Sequence, residues 1–115
     1  MQDPPPHLSV LSVTTTVGSR DAARALAREI LAQRLAACVQ IDPEVTSLYR
    51  WKGELCEAPE VRLVIKCLPG CETALQALFA RHHPYEVPQF LAMPMSASPG
   101  YADWVRAETL LPPAG

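Results

Sequence analysis

The change of apolar period between Leu8 and Leu35 constrains what this chain can fold into more than any other feature. "LSVLSVTTTV", Leu8 to Val17, is rich in Val and Thr and apolar at both parities as far as Val13, which suits a strand in the middle of a sheet. From Arg20 to Leu35 the spacing turns helical. Ala23, Leu26, Ala27, Ile30 and Leu35 fall on one side, and Arg20, Arg24 and Arg28 on the other. Ser19 is placed to cap this helix, with Asp21 favourably sited against the dipole of its first turn. A strand feeding an amphipathic helix commits this part of the chain to a helix lying on a sheet.

The remaining elements follow by the same test. "AACVQI" and "TSLYRWKGEL" are β-rich pieces broken by Asp42 and Pro43, and "EAPE" predicts a turn before the next strand. In "VRLVIKC", Val61, Leu63, Ile65 and Cys67 alternate with Arg62 and Lys66. "LPG" marks a break, and Leu75, Leu78 and Phe79 predict a second helix from Cys71 to about Arg81. Phe90 to Met95 reads as a last strand and "YADWVRAETLL" as a terminal helix. The order β-α-β-β-α-β predicts an α+β fold: a ferredoxin-like split βαβ sandwich, an antiparallel sheet with helices on one face, plus an extra C-terminal helix. Residues 8–111 form the single domain, and residues 1–7 and 112–115 are expected to be flexible tails.

Composition excludes several functions. The 115 residues carry 10 basic and 12 acidic side chains, a net charge of −2, and no two basic residues are adjacent. Nucleic acid is therefore not an expected partner. No apolar run is long enough to span a bilayer, and the N-terminal stretch lacks the charged and apolar regions of a signal peptide. A cytoplasmic location is expected, with Cys38, Cys56, Cys67 and Cys71 as free thiols. No Gly-rich phosphate loop, G-x-S-x-G elbow or flanked carboxylate pair is present, so an enzyme is not expected.

"RLAACVQI", "SLYRWKGEL", "VRLVIKC" and "HHPYEVPQF" occur in the order and at roughly the separations of the CutA family of divalent-cation tolerance proteins, and "YADWV" resembles that family's C-terminal helix. The resemblance spans Leu8 to Leu111. It implies a ferredoxin-like subunit assembled as a homotrimer, similar in architecture to PII signalling proteins, and a role in tolerance of copper or another divalent metal. The copper site implied for bacterial members uses a first-strand cysteine and the histidine pair. Here His82 and His83 are present, while Thr15 aligns with the cysteine and Gln89 stands where the family's "HPYEVPE" ends in glutamate.

The histidine pair has two readings. Pro84 and Pro88 force extended geometry on His83 and Val87 and end the helix near Arg81. Adjacent imidazoles then diverge by about 100° on a helix, or face opposite sides of a strand. As metal ligands for Cu(II) or another divalent ion, His82 and His83 need a third donor from another element or subunit. Otherwise they stabilise the carbonyl end of the helix.

Other candidates have a structural reading beside the chemical one. Cys71, at a helix start, is expected to have a lowered thiol pKa, whereas Cys38 lies in an apolar run and packs as a small hydrophobe. Met93 and Met95 offer thioethers suited to Cu(I) but also fill gaps at interfaces. Tyr49, Trp51, Tyr85 and Trp104 are either a ligand-stacking set or anchors of a subunit interface. Two functions from different classes remain: a trimeric metal-binding tolerance protein, and a PII-like trimer that binds a small molecule or partner protein in clefts between subunits.

Overall fold

The computed structural model describes residues 9–110, so the two predicted tails, with Leu8 and Leu111, lie outside the described residues. The elements are β1 (Ser9–Val17), α1 (Arg20–Ala32), β2 (Cys38–Ile41), β3 (Val45–Trp51), β4 (Glu54–Cys67), a 3₁₀ turn (Pro69–Cys71), α2 (Glu72–His82), β5 (Leu91–Ser96) and α3 (Pro99–Glu108). The sheet runs β2-β4-β1-β5, with β3 also paired to β4, and every pairing is antiparallel. This is the ferredoxin-like α+β arrangement expected, with β1 in the interior of the sheet. Among the described residues, no helix is long and apolar enough to cross a membrane.

The core follows from alternation. Leu11, Val13, Thr15 and Val17 of β1 and Val61, Leu63, Ile65 and Cys67 of β4 are all buried, and Val13 lies opposite Ile65 in the ladder. Ala23, Leu26, Ala27 and Ile30 of α1 and Leu75, Leu78 and Phe79 of α2 join them in one cluster. Ser19 caps α1 as expected, its hydroxyl accepting from the Ala22 N–H at 3.1 Å.

Leu35 lies outside the helix, although its spacing placed it inside. Arg34 adopts a left-handed φ of 55°, and α1 ends in a Schellman turn in which Leu35 N–H donates to Ile30 O at 3.2 Å and Arg34 N–H to Leu31 O at 3.0 Å. Leu35 still reaches the core, by folding back over the helix end.

The larger departure is "EAPE", which forms no turn. β4 runs unbroken through it for 14 residues. Its inner half, Val61–Cys67, pairs with β1, while its outer half, Glu54–Glu60, pairs with β3. Pro59 is tolerated because the β1 pairing stops at Val61, leaving an edge that needs no N–H there. The true turn is Lys52-Gly53, with φ of 50° and 82° between the paired residues Trp51 and Glu54. Positive φ at both central residues is the I′ geometry of a two-residue hairpin. Between β2 and β3, three residues (Asp42–Glu44) stand opposite two (Val61, Arg62), a bulge that lets the ribbon turn away from the sheet.

Candidate functional site

Pro84 decides where the histidines go. A residue before proline cannot remain helical without a clash, so α2 ends at His82 and His83 is extended, with φ −76° and ψ 133°. The two side chains therefore leave the backbone in different directions.

His83 turns inward and is only 9% exposed. Its ring packs between Phe79 and Tyr85, at centroid distances of 5.3 and 5.2 Å. Nδ1 accepts the backbone N–H of Tyr85 at 3.1 Å, and Nε2 lies 2.9 Å from Oγ1 of the fully buried Thr15. A nitrogen that accepts carries no proton in the neutral ring, so the proton sits on Nε2 and is donated to the threonine. Burial lowers the pKa of this imidazole, opposed by the Thr16 backbone and by the charge of Glu60. Both ring nitrogens are occupied, and metal coordination by His83 requires giving up one of these bonds.

His82 stays on the outside of the last helical turn. Its Nε2 is 3.6 Å from Oε1 of Glu29 on α1, both side chains being about 40% exposed. Glu29 is itself held by Gln33, whose Nε2 donates to Oε1 at 2.7 Å. Among the described residues, no group of three or more His, Cys, Asp or Glu side chains is arranged to hold a metal.

The thiols are placed for packing. Cys67 and Cys71 are fully buried, Cys38 and Cys56 partly so, and all four are unpaired. Burial, with Cys71 and Glu72 nearby, pushes the Cys67 thiol up to about 12. Burial also raises Cys71, against the expectation of a lowered value from its position before α2. Desolvation outweighs the helix end here because the thiol is wholly inside. Met93 and Met95 lie exposed on β5, cross-strand from Ser12 and Val10.

The structure brings three of the four singled-out aromatics together. Tyr49, Trp51 and Tyr85 line a groove of about 600 Å³ between the β3–β4 hairpin and the Pro84–Gln89 segment, with Thr16, Glu60, Glu86 and Gln89 among its polar residues. Trp104 is elsewhere, stacked obliquely near Tyr101 on α3 at 5.8 Å. Tyr85 Oη donates to Glu60 Oε2 at 2.7 Å, and burial, together with this carboxylate, pushes the phenol pKa up. At the hairpin tip, Lys52 Nζ lies 5.6 Å from the Trp51 ring centre and 3.6 Å from Glu86 Oε2.

Reading the sequence missed Glu29, Lys52, Glu60 and Glu86. Glu60 was obscured by assigning "EAPE" to a turn. The signal that locates it is Lys52-Gly53, a two-residue turn between alternating β residues.

A model of the family described as "CutA1 divalent ion tolerance protein" matches residues 11–108. The chain is 40% identical over 98 residues to the divalent-cation tolerance protein CutA of Thermus thermophilus, covering 84% of this chain and 95% of that one. It is 37% identical over 102 residues to the mouse protein CutA, covering 88% of this chain but 58% of the longer mouse protein. The crystal structure of CutA1 from Oryza sativa superposes with a TM-score of 0.85 at 32% identity, over 90% of this chain and 95% of that one. With its ferredoxin-like sheet, its His-His-Pro-Tyr segment and these matches, the chain belongs to the CutA1 divalent-ion tolerance family.

Proposed function

We propose that this protein acts in the cytoplasm as a non-catalytic homotrimer in divalent-cation tolerance, binding Cu(II) or another divalent ion weakly through His82 and Glu29. The observation that carries this reading is the split of the histidine pair. His82 keeps an open imidazole beside a carboxylate at the surface, whereas His83 has both nitrogens engaged. Two donors are fewer than the usual coordination shells need, so water or a neighbouring subunit completes the set. His83 positions the segment and joins the metal only by releasing Thr15 or Tyr85.

Assembly is supported by the apolar surface left open on one protomer. Leu91 and Met93 on β5 are 60% and 64% exposed, and Leu55 on the hairpin 68%. β5 is also an edge strand, and exposed apolar edges are hazards unless a partner covers them. A closed symmetric ring removes such edges. Calorimetric titration of the purified protein with Cu(II), with light scattering for its mass, tests both points. Loss of binding in His82→Ala and a mass three times the 12.6 kDa chain are expected. Equal copper affinity in wild type and His82→Ala overturns the metal assignment, and a stable monomer at micromolar concentration overturns the trimer.

A PII-like role in small-molecule binding is supported by a different observation. The aromatic groove has the volume and mixed lining of ligand sites, which run from about 300 to 1,000 Å³.

A further inference from the structure

We propose that the groove beside the hairpin is a site for a small organic ammonium ion, with the Trp51 and Tyr49 rings as its aromatic wall and Glu60 and Glu86 as its counter-charges. This rests on the small-molecule role above and adds the chemical class of the ligand.

The lining decides the sign of the charge. Among the described residues, three aromatic rings and two carboxylates line the groove, and no Lys, Arg or His is among them. An anion entering it meets two like charges. A cation meets ring faces, whose negative quadrupole attracts it, and carboxylates that neutralise it. Glu60 is fixed in place, because Tyr85 Oη donates to Oε2 at 2.7 Å and leaves the other oxygen free to accept. Thr16, Ser47 and Gln89 offer further oxygen acceptors.

The chain's own lysine shows the same preference. Lys52 places its ammonium over Trp51 at 5.6 Å and beside Glu86 at 3.6 Å, the two kinds of contact an incoming ammonium would make. Lys52 and Glu86 side chains are 70% and 71% exposed, and surface pairs of this kind contribute little. Lys52 is thus an easily displaced occupant at the mouth of the groove. Removing it should improve binding, the reverse of what a ligand-contacting residue would do.

The test uses the full chain in a Trp104→Phe background, so that fluorescence reports Trp51 alone. The probe is 2-phenylethylammonium, and 2-phenylethanol is its neutral match. Saturable quenching is expected with the ammonium at about tenfold lower concentration than with the alcohol. Lys52→Asn, which keeps the left-handed turn accessible, should tighten binding, and Glu60→Gln should weaken it while its amide oxygen still accepts from Tyr85. Equal binding of amine and alcohol leaves the small-molecule role standing and overturns the ammonium assignment. Binding of neither probe overturns both. Weaker binding in Lys52→Asn than in the background protein overturns the displaceable-occupant account of Lys52 and, with it, the ammonium assignment.

Discussion

Thr15→Val isolates the hydrogen bond that decides what His83 does. Valine keeps the branched shape of a side chain that is wholly buried and removes only the hydroxyl that takes the Nε2 proton at 2.9 Å. A buried donor left unpaired costs about 1–3 kcal/mol. The Thr16 backbone also interacts with this ring, which places the loss in the lower part of that range, about 1–2 kcal/mol. At about 2.1 cal/mol/K of unfolding entropy per residue, 115 residues give about 0.24 kcal/mol/K, so Tm should fall by about 4–8 °C.

Thr15→Ser is the control, since it retains the hydroxyl and loses one methyl, for about 0.5–1.5 kcal/mol. Thermal unfolding followed by circular dichroism reads both variants at one protein concentration, since any association would make Tm concentration-dependent. Imidazole ¹⁵N shifts should place the His83 proton on Nε2 in wild type and in Thr15→Ser. A Thr15→Val protein as stable as wild type, with Thr15→Ser less stable, refutes the reasoning: His83 would then be held by Phe79 and Tyr85 packing alone.

Because burial lowers the pKa of His83, the folded protein takes up this proton at lower pH than the unfolded chain. Stability from the neutral ring is complete above about pH 6.5, falls by up to about 1.4 kcal/mol per unit as pH drops below it, and levels off once the folded ring is charged; urea titrations should show this slope reduced in His83→Phe. Gly53→Ala should cost about 1–2 kcal/mol, since φ is 82° and there is open space but no left-handed comfort for a Cβ, and hydrogen exchange should show the hairpin opening first. Cys67 and Cys71 should resist alkylation until the protein unfolds, while the partly buried Cys38 and Cys56 label earlier, as intact mass would show. Leu55→Glu should lower the mass seen by light scattering without unfolding the protomer, because Leu55 is 68% exposed on the hairpin.

The sheet and its helices were legible because their patterns are long and one-sided. In Val61 to Cys67 all four odd positions are apolar and buried. Local turn chemistry misled where tertiary pairing overrode it: Pro59 looks like a breaker, but a strand with one free edge accommodates it. Arg34 carried no sign of its left-handed conformation, since Gly or Asn usually marks that position. The divergence of His82 and His83 was legible from Pro84. Their partners were not, because Thr15 and Glu29 are separated from them by more than fifty residues.

Thr15 also bears on the metal reading proposed above. It is the residue aligned with the cysteine implied for the bacterial copper site, and it lies against the imidazole that site would use. A thiolate and a neutral imidazole at this position make a pair of soft and borderline ligands, whereas a hydroxyl and an imidazole satisfy each other by a hydrogen bond. On the metal reading proposed above, oxygen in place of sulfur keeps His83 in a hydrogen bond rather than leaving it as a donor. The same reading assigns the ion to the exposed His82, beside Glu29. Thr15→Cys should therefore compete with, rather than add to, the structural role: copper affinity gained at His83 should come with loosening of the Tyr85 segment, and with it of the groove that Tyr85 and Glu60 hold in shape.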